Sequence, residues 1–181
     1  MTFRLALVWI MATGSVLVAG TTEAQDRIPA DPTPLRVPLV TAVQIGDGYG
    51  NLDRPSDVRI TVLEVLRGEK AWVLIKDAGE FNRPPETGFE YLLAYIRFEY
   101  LAKTGNYTAS MDSFSATSAD GKEYDTPSIK PPKPAFGGRL YPEDSLEGWI
   151  AFLVARDDSK PLMTFGQTGI QGPGRVWFQL H

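Results

Sequence analysis

The chain has 181 residues, 43% of them apolar, which suffices for one real core and sets a single domain with extensions as the default. Its net charge is only -4, so it lacks the basic field that a phosphate backbone requires, and no nucleic-acid partner is expected. It contains no cysteine, so no disulfide can staple it and stability has to come from packing and hydrogen bonds.

Met1 to Ala24 has the layout of a secretory signal: Arg4 gives a positive start, Leu5 to Gly20 is apolar, and Thr22-Glu23-Ala24 offers small residues for cleavage after Ala24. The apolar stretch falls short of the ~18 residues that a spanning helix needs, and Gly14, Ser15 and Gly20 weaken it further. No membrane attachment is expected once residues 1–24 are gone. A lipid anchor at an export site would need a thiol that the chain lacks. The expected location is extracytoplasmic: secreted, periplasmic or at the cell surface.

From 25 to 38, prolines at 29, 32, 34 and 38 remove backbone donors and fix φ, which predicts an extended tether ahead of a domain at 39–181. Val37 to Ile45 reads as a first strand, closed by the glycine-rich turn Gly46 to Gly50. That turn is no phosphate loop, because Asn51 to Pro55 follow where a helix would have to start. Val58, Ile60 and Val62 alternate with polar residues, and Leu63 and Val65 then take over the apolar role across Glu64, which predicts a bulge or a change of face. After the turn Arg67 to Lys70, Ala71 to Ile75 is expected to be a strand.

Glu90 to Tyr100 is the strongest strand, with Leu92, Ala94, Ile96, Phe98 and Tyr100 on one face and Tyr91, Leu93, Tyr95, Arg97 and Glu99 on the other. Thr108 to Thr117 and Lys122 to Tyr124 flank Asp120-Gly121 and predict a hairpin. Pro127 to Pro134 reads as a loop across the domain; its Pro131-x-x-Pro134 spacing suits SH3-type domains, which an exported chain would rarely meet. Gly148 to Ala155 alternates Ile150, Phe152 and Val154 with Trp149, Ala151 and Leu153. Leu162 to Phe165 and Val176 to Leu180 close the domain. No segment of the mature chain shows a sustained helical period, and short strands with turns between them predict an all-β, immunoglobulin-like antiparallel β-sandwich without a disulfide.

Four segments carry a resemblance: VRITVLEVLRG at 58–68, GFEYLLAYIRF at 88–98, DGKEY at 120–124 and, most specifically, LYPEDSLEGWIAFLV at 140–154. In order and spacing, over roughly Leu39 to Leu180, the chain resembles a bacterial exported immunoglobulin-like domain family of unknown function. That family is labelled as telomeric repeat-binding factor-like, within the immunoprotective extracellular immunoglobulin-like superfamily. Glu147-Gly148-Trp149 would give a close approach at glycine followed by an anchoring aromatic. The family has glycine after the proline matching Pro142, where this chain has Glu143, and asparagine near Leu101-Ala102-Lys103; both differences fall in turns. The resemblance implies a secreted or surface-attached module and brings no catalytic motif.

The one histidine is His181, a terminal residue poorly placed for a general base, and with no cysteine the usual zinc and triad constellations cannot be assembled. No metal or other cofactor is expected. Calcium ligands could come from Glu143 and Asp144 before one strand or Asp157 and Asp158 after it, but these pairs lie at opposite strand ends and cannot share an ion. Asn106-Tyr107-Thr108 matches the N-glycosylation pattern. The favoured site is an aromatic face of Tyr91, Leu93, Tyr95, Trp149 and Leu153, with Ala151 among them, fit to bind a protein or glycan outside the cytoplasm. Two alternatives stand beside it: a carboxylate-dependent hydrolase, and a purely structural envelope protein. A loop such as the second proline cluster covering that face is the competing reading.

Overall fold

The structure, a computed structural model, describes residues 28–46, 52–166 and 175–181. The expected signal peptide at 1–24, the tip of the glycine-rich turn after Gly46 and most of the loop after Phe165 lie outside these residues. Period-two patterning sorts the long strands. Strands β1 (Leu39–Gly46), β2 (Leu52–Arg67), β3 (Phe89–Tyr100) and β7 (Ser145–Ala155) form an antiparallel sheet in the order β1-β2-β3-β7. Strands β5 (Phe114–Thr117), β8 (Leu162–Phe165) and β9 (Val176–Gln179) form a second, and the short β4 (Tyr107–Ala109) and β6 (Gly138–Leu140) pair with each other.

Every residue placed inward by its spacing on β3 is fully buried, as are Val58, Ile60 and Val62 of β2, and Ile150, Phe152 and Val154 of β7 join them. The second sheet contributes Phe114, Ala116, Met163, Phe165 and Phe178 to the same core. Phe98 meets Phe165 edge-on at 5.7 Å, and Phe165 meets Phe114 at 4.8 Å, so aromatic contacts join the two layers. The result is an all-β antiparallel sandwich. The break expected near Leu63 is present: the β2–β3 register shifts between Val62 and Glu64, which keeps both Val62 and Val65 on the inner face, opposite Ile96 and Ala94.

Ala71 to Ile75 is not a strand. It lies in a helix, α1 (Glu69–Ala78), which also corrects the expectation of no helix in the mature chain. Both neighbours of β2 are already taken by β1 and β3, so no free place beside it remains for another strand. Gly68, at φ 62, turns the chain out of the sheet, and its carbonyl accepts the Trp72 N–H. Ala71 and Ile75, four residues apart, then bury completely against the outer face of the first sheet. Glu69 in the first turn and Lys76 in the last suit the helix dipole.

The expected strand Thr108 to Thr117 is broken by a 3-10 turn at Met111–Ser113, where the Ser110 hydroxyl accepts the Asp112 N–H, and its halves join different sheets. The expected hairpin turn is present at its tip: Ser118 N–H donates to Lys122 O, Thr117 bridges Glu123, and Tyr124 N–H donates to Ala116 O. Of the proline-rich segment 25–38, expected to be a tether, the described residues 28–38 meet the domain at Thr33 and Arg36. Thr33 donates to Trp177 O and accepts from Gln179 N–H, while Arg36 N–H donates to Val62 O at 2.7 Å. Prolines on either side do not prevent this, because the bonds use the donors of Thr33 and Arg36.

Gly148 makes the close approach its motif implies. A Cβ there would lie 2.5 Å from Phe136 N, because the chain at Pro134 to Phe136 runs along β7, with Trp149 N–H donating to Pro134 O and Phe136 N–H to Trp149 O. Among the described residues no helix is long and apolar enough to cross a membrane.

Candidate functional site

The outer face of the first sheet is where the expected site lies. Antiparallel register puts Tyr91 opposite Leu153, Leu93 opposite Ala151 and Tyr95 opposite Trp149, so these side chains do share a face. Helix α1 divides it. Ala71 and Ile75 pack over Tyr91, Leu93 and Ala151 as a second apolar cluster, with Leu66, Trp72, Ile129 and Leu153 around the margin. Trp72 stacks on Tyr91 at 5.9 Å, and the Tyr91 hydroxyl donates to Arg83 O at 3.0 Å. Desolvation raises the Tyr91 phenol pKa.

Tyr91 and Leu93 are therefore core residues, and the expected continuous aromatic face is corrected to a shorter one. The physical reason is that α1 needs an apolar bed, and these positions supply it. Ile129, from the second proline cluster, contributes to the same cover, so the loop expected to cross the domain partly does so on this side.

Beyond the helix, Tyr95 and Trp149 remain half-buried, with ring centroids 4.8 Å apart and tilted by 47°. One residue pair further along, Arg97 Nε donates to Glu147 Oε1 at 2.6 Å. Desolvation raises the Tyr95 phenol pKa and the nearby Glu147 carboxylate raises it further, while the same carboxylate raises the Arg97 guanidinium. Arg59 and Glu99 form the next pair, at 3.0 Å. An indole, a phenol, a carboxylate and a guanidinium thus meet on one stretch of sheet, each held by register rather than by a loop.

Several exposed features were not singled out from the sequence. Phe81 is 79% exposed, and Val73 and Leu74 of α1 face outward. Phe81 lines a shallow groove of about 450 Å³ between Gly79 to Asn82 and Pro127 to Lys130. Its walls are joined by Asn82, whose Nδ2 donates to Ile75 O and Lys130 O, and whose Oδ1 accepts the Lys130 N–H. An asparagine among prolines and charged residues carries no pattern that distinguishes it from an ordinary turn residue.

One member of each acidic pair weighed for calcium, Asp144 and Asp158, serves as a local acceptor. Asp144 takes the Tyr141 N–H, and Asp158 takes the Tyr124 hydroxyl and the Lys160 N–H. Among the described residues no three acidic or histidine side chains gather to hold a metal ion. Asn106 is exposed, ahead of β4.

No family model and no curated protein matches this chain. Several solved structures superpose on it at low sequence identity. A lipoprotein candidate (ycdA) from Bacillus subtilis superposes with a TM-score of 0.51 at 13% identity, over 67% of this chain and 35% of that one. The secreted protein MPT63 of Mycobacterium tuberculosis gives a TM-score of 0.49 at 13% identity, over 83% and 99%. An uncharacterized β-sandwich protein from Clostridium difficile gives 0.44 at 11%, over 86% and 98%. The match to the Bacillus protein spans about a third of that protein's length and speaks to the β-sandwich architecture.

Proposed function

We propose that this chain is an exported, non-catalytic, immunoglobulin-like module that binds a protein or glycan outside the cytoplasm, using the outer face of β3 and β7 at Tyr95 and Trp149. The observation that carries the reading is the half-open pair Tyr95–Trp149 beside Glu147 and Arg97. Aromatic faces stack on sugar rings or on apolar side chains, and a neighbouring carboxylate and guanidinium supply directional hydrogen bonds. The signal-like start of the sequence supports an extracytoplasmic setting. The groove at Phe81 includes one carboxylate residue, Glu80, among its lining side chains, whereas a carboxylate-dependent hydrolase needs two.

The test uses a variant in which Trp149 is the only tryptophan of residues 25–181, titrated with soluble cell-wall oligosaccharides and with exported proteins from the source. A true partner changes Trp149 emission saturably, and Tyr95→Ala weakens it by about tenfold or more. A partner that binds equally well to Tyr95→Ala and Glu147→Gln would place the contact elsewhere and remove the basis for this site.

A further inference from the structure

Strand edges carry unpaired backbone donors and acceptors, and folded proteins protect them. Most edges of this sandwich are protected by visible means. The outer edge of β7 is covered by the chain at Pro134 to Phe136, and that of β9 by Thr33. At β5 the chain folds back, with Tyr124 N–H donating to Ala116 O and Glu123 bridging Thr117. β4 and β6 are three residues long, too short to recruit much.

Strand β1 differs. It runs for eight residues, pairs on one side with β2, and among the described residues nothing pairs with its other side. Its sequence, LVTAVQIG, contains no lysine, no other charge and no proline, the devices that usually spoil an edge. The register shift between Gln44 and Ile45 interrupts only its far end and leaves Leu39 to Val43 regular. Val40 is 51% exposed there.

We infer that β1 is an association edge for a second copy of this chain, paired antiparallel with its own counterpart about a two-fold axis at Thr41. The occupant follows from self-complementarity. About that axis Leu39 faces Val43 of the copy, Val40 faces Ala42, and Thr41 faces itself. Leu39, Thr41 and Val43 lie opposite Ile60, Val58 and Ser56 on one face, whereas Val40 and Ala42 lie opposite Arg59 and Asp57 on the other. Each new pair therefore joins residues of the same face, and no charge meets its like. The two four-stranded sheets become one continuous sheet of paired backbones. This edge is separate from the Tyr95–Trp149 surface, so either idea can fail without the other.

The purified protein is followed by sedimentation across a concentration series up to about 1 mM, the range of weak association. The expected result is a mass that doubles with concentration, and a Val40→Lys variant that stays monomeric with an unchanged unfolding transition, since that side chain points outward. Because the chain has no cysteine, Thr41→Cys should give a single disulfide-linked dimer under mild oxidation, with Ser159→Cys in an exposed turn as the control. A monomer at every concentration, a dimer that Val40→Lys leaves intact, or equal cross-linking through both cysteines would overturn the inference. If Val40→Lys fails to fold, the parent protein and the two cysteine variants still decide. Protection of the β1 amides only on adding a different envelope protein would place a foreign strand on this edge, and would equally refute self-pairing.

Discussion

Glu143 sits at φ 66 in the turn Tyr141 to Asp144, which the Asp144 N–H closes onto Tyr141 O at 3.0 Å. With proline at the second position and positive φ at the third, this is the arrangement that favours glycine third. The turn is held to the end of β3 on both sides: Glu143 N–H donates to Tyr100 O, and Tyr100 N–H to Asp144 O. A side chain in the left-handed region costs about 1–2 kcal/mol, and glycine's extra freedom when unfolded returns about 0.5–1 of that. Glu143→Gly should therefore stabilise the domain by about 0.5–1 kcal/mol and raise its melting temperature by roughly 2 °C. A lower melting temperature in thermal denaturation would mean that the glutamate side chain itself supports the turn. The place of this residue is legible in the sequence, since Pro142 announces a turn, but its strain is not, because one-letter order does not reveal which turn forms. Gly148 is the converse case, where Glu147-Gly148-Trp149 alone implied a close approach and the backbone of Phe136 makes it.

At the scale of elements, what could be read depended on which sides of a segment are buried. β3 and β7 are long apolar segments of 12 and 11 residues, dense on both faces, so both strands were legible and their spacing sorted the two faces. AWVLI at 71–75 is five apolar residues without alternation, and such a run suits a buried strand or a helix equally. Only the occupied flanks of β2 and the apolar bed at Tyr91 and Leu93 decide for the helix. The end of that helix depends on Asn82, which is buried and makes three hydrogen bonds to the backbone of Ile75 and Lys130. Each buried partner left without its bond costs about 1–3 kcal/mol, with incomplete additivity. Asn82→Ala should cost roughly 2–4 kcal/mol, and hydrogen exchange should show the Lys130 amide and the last turn of α1 losing protection first. Equal loss across β2 and β3 would show that Asn82 holds the whole fold rather than this junction.

For the whole molecule, alkaline pH tests how the segments beyond the strands are held. Tyr124, after the hairpin turn, donates its hydroxyl to Asp158 Oδ2 at 2.8 Å, in the turn between β7 and β8. Desolvation, reinforced by the Asp158 carboxylate, pushes its pKa up to about 12. The native state thus favours the protonated phenol. Its contribution is fully present below the unfolded value near 10 and is lost as pH rises through about 12. Melting temperatures of the parent and Tyr124→Phe should differ most below pH 10 and converge toward pH 12; a constant difference would refute the linkage. The candidate site was legible only in part. Which side chains share a face within each strand was readable from spacing, whereas the pairing of β3 with β7 was not, and the burial of Tyr91 and Leu93 came from a helix that the sequence did not announce.

The bond from Gln179 Nε2 to Pro32 O joins residues 147 apart in the chain. A ribosome releases Pro32 and Thr33 long before β9, so during synthesis these residues have no partner to hold. Their prolines keep them extended and unable to collapse meanwhile. The same segment is then a spacer in the growing chain and a clasp in the finished one, and closing it marks the moment when the last strand arrives.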